Sequence, residues 1–401
     1  MQILWGILGI IVILGIAFLF SNNKKAINFR TILLALVIQI LFALIVLKWP
    51  LGHQALKWVS DKVEKVVGTA GSGIDFLFGP VLPEDGSIFA FQVLPVIIFF
   101  SSLISVLYYL GVMQWMIRLL GGALQKLLKT SKVESMNAAG NIFLGQTEAP
   151  LVVKPYIKNM TNSEMFAVMT GGLSTVAGSV LAGYALLGVP MQYLIAASFM
   201  AAPAGLLMAK LIIPESHKEE TTDDVTLEKD TETTNVIDAA ARGASDGLKL
   251  ALTVGAMLIA FISLIALINL LLDWVGGWVG LDITLQQILG YIFSPIAFLI
   301  GVPWDEAIRA GSLIGQKIVL NEFVAFSNFG PNIAEYTEKT KTIISFALCG
   351  FANVGSMAIL IGGLSPMAPN RRGDIARLGV KAIIAGTLAN LLSAAIAGML
   401  V

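Results

Sequence analysis

Apolar runs of about twenty residues recur along this chain, and nothing else in it constrains the fold as strongly. A helical crossing of a bilayer's hydrocarbon core needs about 20 such residues. Runs of that kind lie at 2–20, 31–48, 87–111, 165–188, 190–213, 249–275, 342–365 and 379–400. Only 13% of the 401 residues are charged, against about a quarter in soluble domains. The chain therefore reads as an all-α polytopic membrane protein. Lys+Arg 26 against Asp+Glu 26 gives no net charge, so no basic face points to nucleic acid. One cysteine, Cys349, and two histidines, His53 and His217, exclude a disulfide framework and a Cys/His metal site. The first run has no basic residue ahead of it and no small-residue cleavage site, so it is read as a retained span.

The positive-inside rule orients these eight crossings. An external N-terminus puts Lys24, Lys25, Arg30, Arg118, Lys126, Lys129, Lys132, Lys154, Lys158, Arg371, Arg372, Arg377 and Lys381 inside. The outer side keeps Lys48, Lys57, Lys62, Lys65, Arg309, Lys317, Lys339 and Lys341. Both termini are thus expected outside the cytoplasmic membrane. Glu215–Asp238 holds nine acids and two lysines and reads as a solvated, mobile cytoplasmic loop. From Ala55 to Val67, Leu56, Trp58, Val59, Val63 and Val66 alternate with Lys57, Asp61, Lys62, Glu64 and Lys65, a pattern that suits an amphipathic interfacial helix.

Two apolar segments, 137–157 and 308–326, do not fit simple spans. Each carries a polar cluster at its centre: Gly145-Gln146-Thr147-Glu148 in one, Asn321-Glu322 in the other. If either crossed, everything downstream would flip and the charge asymmetry would worsen. Re-entrant hairpins entering from opposite faces solve this, because backbone may turn at membrane depth where it lines protein or a wet cavity. Trp304, Asp305 and Glu306 are read as an outer loop ahead of the second hairpin, with no assigned role. The spans after the hairpins are unusual too. The fourth contains Gly171, Gly172, Ser174, Thr175, Gly178, Ser179 and Gly183; the seventh contains Gly350, Asn353, Gly355, Ser356, Gly362 and Gly363. Such glycines allow close helix approach, while the Ser/Thr/Asn groups supply oxygens where a helix unwinds. Glu148 precedes Ser179 by 31 residues and Glu322 precedes Asn353 by 31. Two hairpin-plus-interrupted-span units entering from opposite sides form an inverted repeat, the sequence mark of a secondary transporter's midplane site.

A carboxylate at bilayer depth costs about 2.5–3.5 kcal/mol on insertion scales. The bland reading of Glu148 and Glu322 is that each caps a hairpin helix or pairs with a cation. The amides and hydroxyls beside them favour a neutral ligand rich in OH and NH groups. An anion fits poorly, since no Arg or Lys stands between the tips of the two clusters. The rival classes are a channel, which cannot concentrate its solute, and a membrane-embedded hydrolase using the two acids, for which no catalytic motif accompanies them.

The runs GNIFLGQTEAPLVVKP (140–155), GGLSTVAGSVLAGYALLGVP (171–190), VLNEFVAF (319–326) and FANVGSMAIL (351–360) resemble the concentrative nucleoside transporter family, in that family's order and over essentially the whole chain. The resemblance implies a non-enzymatic, ion-coupled importer of nucleosides of the uridine, cytidine and adenosine class, working as an elevator within a homotrimer and needing no bound cofactor. It also implies a division into scaffold (1–111 and 248–278), a first transport repeat (112–213), an acidic loop (214–247) and a second transport repeat (279–401). By motif match Gln146, Thr147 and Glu148 contact the nucleobase, with Val180 beside it. Glu322, Asn353 and Ser356 bind the ribose, and Phe351 lines the pocket. A sodium site is implied at the Asn141 and Thr175 side chains with the Leu144 and Val176 carbonyls. The GQTE motif and Asn141 favour sodium, since proton-coupled members tend to have GQSE and lack that asparagine. Protons are the alternative, carried by Glu148 or Glu322.

Overall fold

The computed structural model describes residues 2–83, 88–216, 233–278, 280 and 283–401, and among these every regular element is helical. The expected acidic loop falls largely on 217–232, outside the described residues. In chain order the helices are α1 (Gln2–Leu19), α2 (Phe29–Ala43), α3 (Pro50–Phe78), α4 (Leu94–Tyr109), α5 (Val112–Leu128), α6 (Lys132–Gly140), α7 (Asn162–Ser174), α8 (Gly178–Leu186), α9 (Met191–Ile212), α10 (Val236–Gly277), α11 (Leu285–Leu299), α12 (Trp304–Val319), α13 (Glu322–Phe329), α14 (Glu338–Leu348), α15 (Val354–Leu364) and α16 (Arg372–Leu400). Wider π-helical turns extend α2 through Leu44–Lys48 and open α4 at Phe89–Val93.

Among the described residues six continuous or nearly continuous helical stretches are long and apolar enough to cross a membrane: 29–48, 89–109, 162–186, 191–212, 236–276 and 369–400. The first run forms the shorter α1, and the seventh divides into α14 and α15. The innermost helices are α7, α9 and the second half of α16, whereas α2, α4 and α10 leave most of their apolar surface outward, as lipid-facing helices do. Small residues let the inner helices meet: a Cβ on Gly386 would stand 3.0 Å from that of Leu173 and 3.2 Å from that of Ala352.

Local chemistry sets where these helices start and stop. Ser131 with Glu134, and Thr161 with Glu164, form capping boxes that begin α6 and α7. α7 stops because the Ser174 and Thr175 hydroxyls turn back onto the Gly171 carbonyl, at 3.1 and 2.9 Å, and Thr175 goes extended. The chain resumes as α8 once the Gly178 amide has found the Phe143 carbonyl at 3.0 Å. α14 ends at Leu348, and α15 restarts on an Asn353 cap whose side chain accepts from the Ser356 amide at 2.8 Å. Both interruptions expected from the small polar clusters are therefore present.

Three sequence expectations are corrected. Trp304, Asp305 and Glu306 are the first turn of α12, not a loop. Pro303 precedes that turn and the acids suit a helix N-terminus. α12 packs along the unanticipated α11, the pair being bent by 115° at a break of at most four residues. The expected loop 214–247 is helical from Val236, because Asn235 caps α10 by accepting from the Ile237 and Asp238 amides. Lys317 is not an outer-face charge but a buried one, 1% exposed. The amphipathic stretch 55–67 is helical as expected, within the longer α3, with Trp58, Val59 and Val66 exposed.

Candidate functional site

Helix ends, rather than helix faces, supply the polar groups expected to bind. Asn141 caps the C-terminus of α6 and Thr175 that of α7, so two negative dipole ends lie where the first polar cluster begins. Leu144 lies in the turn after α6 and Val176 in the break after α7, and all four residues are buried. Asn141 and Thr175 meet at Gly171. The Thr175 hydroxyl donates to its carbonyl, and a Cβ on Gly171 would stand 2.9 Å from Asn141 Nδ2. Asn141 is wholly buried, yet neither its Oδ1 nor its Nδ2 has a hydrogen-bond partner among the described residues. Such a group is costly unless something fills its vicinity, and hard oxygens at helix C-termini fit a sodium ion.

Gln146, Thr147 and Glu148 occupy the turn between α6 and the 3-10 stretch Ala149–Asn159. Gln146 is buried, its Oε1 without a hydrogen-bond partner among the described residues; Thr147 is half-buried, and Glu148 is exposed. Glu148 Oε2 accepts from the Gly145 amide at 3.1 Å, a bond within the turn, and among the described residues makes no side-chain cap bond to the 3-10 stretch that follows. The turn is held against both broken helices. A Cβ on Gly172 would stand 3.0 Å from that of Gln146, and one on Gly363 would stand 2.8 Å from Thr147 Cγ2.

Glu322 opens α13 and is 4% exposed. Its Oε2 accepts from Asn353 Nδ2 at 3.0 Å and its Oε1 from the Tyr184 hydroxyl at 3.1 Å. Asn321 caps the same helix, accepting from the Val324 amide at 2.8 Å. The positive ends of α13 and α15 thus both meet the Glu322 carboxylate and offset its desolvation. Ser356 is buried in the first turn of α15, Phe351 is half-buried in the break ahead of it, and Val180 is buried in the first turn of α8. The two breaks touch directly, since the Phe351 amide donates to the Thr175 carbonyl at 3.1 Å.

Three residues of this neighbourhood escaped the sequence reading. Tyr184 is wholly buried, stacked on Phe326 with ring centroids 4.3 Å apart, and holds Glu322. Its signal was an aromatic hydroxyl inside a small-residue span, since a buried Tyr OH usually finds a partner. Asn390 on α16 donates from Nδ2 to the Ser174 carbonyl at 2.7 Å and to the Cys349 carbonyl at 3.1 Å, so one amide joins both breaks. Lys317 Nζ donates to Asn390 Oδ1 at 2.9 Å. A cation therefore does lie buried beside the second break, contrary to the charge census used against anionic ligands, but its bond is to the Asn390 amide of α16.

The chain resembles proteins of known kind over its whole length. Family models described as Na+ dependent nucleoside transporter N-terminus, nucleoside recognition, and Na+ dependent nucleoside transporter C-terminus match residues 8–81, 90–191 and 193–398. The chain belongs to the concentrative nucleoside transporter family. It is 60% identical to the uncharacterized transporter YutK of Bacillus subtilis, covering 100% of both chains. It is 50% identical to the nucleoside permease NupC of Helicobacter pylori, covering 99% of this chain and 98% of the other. Among solved structures, CNTnw in an inward-facing substrate-bound state superposes with a TM-score of 0.96 at 56% identity, covering 100% of this chain and 98% of that one. A CNTnw variant in an outward-facing state gives 0.95 at 55%, with the same coverage. This member of the family is accordingly a multi-pass nucleoside transporter.

Proposed function

We propose that the chain imports nucleosides by sodium symport across the cytoplasmic membrane, with elevator-type alternating access. The observation that carries sodium is the buried, unpartnered side chain of Asn141 beside Thr175, at the converging C-termini of α6 and α7. Asn141 and Thr175 would give side-chain oxygens and Leu144 and Val176 carbonyls. As cargo, the ion would steady the turn holding Gln146, Thr147 and Glu148, which would take the nucleobase against Val180. Glu322, Asn353 and Ser356 would take the ribose hydroxyls, with Phe351 lining the pocket. Seven residues of α15 separate Ser356 from Gly363, where Thr147 packs, or about 10 Å of helix, a spacing suited to holding base and sugar at opposite ends.

In this reading eight crossings and two opposed re-entrant hairpins form an inverted repeat with both termini outside. Residues 1–111 and 248–278 form the scaffold of a homotrimer; 112–213 and 279–401 form the moving unit; 214–247, helical from Val236, joins them. Energetically the ion must favour the state competent for substrate. Replacing sodium by choline at fixed pH should abolish uridine uptake into liposomes. Uptake that persists and follows an imposed pH gradient would instead assign coupling to a proton on Glu148 or Glu322. Glu322→Gln should abolish uptake while leaving folded protein, and normal uptake by that variant would remove Glu322 from the ribose role. Counterflow of labelled uridine, adenosine and guanosine ranks the substrates.

A further inference from the structure

The α6 helix carries a polar stripe that begins at the proposed ion site and runs back toward the start of the helix, beyond what the nucleoside or the ion site uses. Glu134, Asn137 and Asn141 are spaced by three and four residues, so they share one helix face. Their exposures are 1%, 0% and 0%. Asn137 resembles Asn141 in being unsatisfied: its Oδ1 has no partner among the described residues, and its Nδ2 reaches only the Val168 carbonyl, at 3.5 Å. The two amides converge on Gly171. The point where Gly171 would carry a Cβ is 2.9 Å from Asn141 Nδ2 and 3.4 Å from Asn137 Nδ2.

One turn further back, Glu134 Oε1 accepts from the Ser131 amide at 2.7 Å, while Oε2 lies 2.7 Å from Lys210 Nζ of α9. Lys210 is 7% exposed, donates to Ser163 Oγ at 3.0 Å, and stands 3.9 Å from a second carboxylate, Glu215. Glu215 in turn accepts from the Thr161 hydroxyl at 2.7 Å. Beyond the pair lies a cavity of about 230 Å³, lined by Thr31, Thr130, Glu134, Lys210 and Glu215 among others, at the end of the bundle that the basic residues assign to the cytoplasm.

We propose that this stripe is the cytoplasmic release path of the coupling cation, closed by the Lys210–Glu134 pair, an inference that rests on the sodium reading above. A desolvated monovalent cation needs oxygen at each step, and the steps here are close to one helical turn, about 4.5–6 Å. Asn137 Oδ1 receives the ion from Asn141. Glu134 receives it next, as Lys210 exchanges Glu134 for Glu215. The ammonium and the cation compete for the same carboxylate, so the gate closes again when the ion has left. Glu134, Asn137 and Lys210 are not among the residues proposed for the nucleoside, so its exit needs no opening here.

Net uptake requires the ion to leave on the cytoplasmic side, whereas exchange of labelled for unlabelled uridine with equal sodium on both sides requires only the nucleoside to leave. The test compares these two rates in liposomes for Asn137→Leu. Net sodium-driven uptake should fall at least tenfold while exchange stays within twofold of wild type. Glu134→Gln, which can still accept from the Ser131 amide, removes the carboxylate that receives the ion and should show the same split. It carries the test if Asn137→Leu does not fold. Equal loss of both rates, or loss of neither, in the variants that fold overturns the path. A wild-type protein indifferent to sodium is a separate result, which defeats the sodium reading itself.

Discussion

Asn390→Leu offers a direct measure of how the two breaks are held together. Asn390 is 2% exposed, and its amide makes two donations, to Ser174 O at 2.7 Å and Cys349 O at 3.1 Å, while accepting from Lys317 at 2.9 Å. Hydrogen bonds within membrane proteins contribute about 0.6–1.7 kcal/mol each, so the two lost donations cost about 1–3 kcal/mol. Leaving the Lys317 ammonium buried without its acceptor adds about 3 kcal/mol, at the low end for one partner removed from a buried charged pair. The total is about 5 kcal/mol, which at roughly 2 °C per kcal/mol lowers the unfolding midpoint in detergent by about 10 °C. The double variant Lys317→Met, Asn390→Leu no longer buries an unpaired charge. It should recover about 6 °C of that loss by the same conversion, a coupling read as a double-mutant cycle. Thermal scanning with size-exclusion detection measures both. A single variant with the wild-type midpoint, or a double variant no better than the single, would refute the bridging role.

Tyr184→Phe removes the 3.1 Å bond to Glu322 but keeps the ring stack on Phe326; the loss of about 1–1.5 kcal/mol should raise the uridine KM about 5–10-fold in uptake at saturating sodium. Gly171→Ala puts a methyl 2.9 Å from Asn141 Nδ2, and overpacking of about 1–3 kcal/mol should raise the half-saturating sodium concentration about tenfold, with maximal uptake largely kept; an unchanged sodium curve counts against the ion site. Glu306→Ala removes the acceptor of the Thr337 amide and hydroxyl, both at 2.8 Å. Losing about 2–3 kcal/mol there should lower the midpoint by about 5 °C, with the uridine KM unchanged.

The parts of the fold legible in the sequence are those written in runs and interruptions. Gly171 to Gly183 and Gly350 to Gly363 announced helices that could not continue, and both do break, at 175–177 and 349–353. α11 was missed because its apolar residues are diluted by Gln286, Gln287 and Ser294, and it lies outside any twenty-residue apolar run. Lys317 was misassigned because a charge census treats every lysine as a loop marker, whereas this one is paid for by an amide 73 residues away. The roles of Tyr184 and Asn390 depend on partners 138 and 216 residues distant, contacts that no local pattern encodes. Glu322 was legible as a costly carboxylate, but its two donors were not equally so: Asn353 carried a sequence signal and Tyr184 only its residue type.

The break at 175–177 gives the proposed coupling a physical route. It ends α7, so its negative dipole end faces Asn141, and it begins α8, whose first turn carries Val180 and whose last carries Tyr184. It also accepts the Phe351 amide through the Thr175 carbonyl, and Phe351 leads within two residues to the Asn353 cap that holds Glu322. A cation taken up by Thr175 and Val176 would compete for backbone oxygens at a place where both broken helices are directly joined. The substrate groups at Glu322 and Asn353 would then feel the ion through two bonded contacts rather than through its field. That separation matters at membrane depth. A bare cation beside Glu322 would simply neutralise it and weaken its capacity to order ribose hydroxyls, while a cation at Asn141 leaves the carboxylate free to bind and fixes the backbone that positions it.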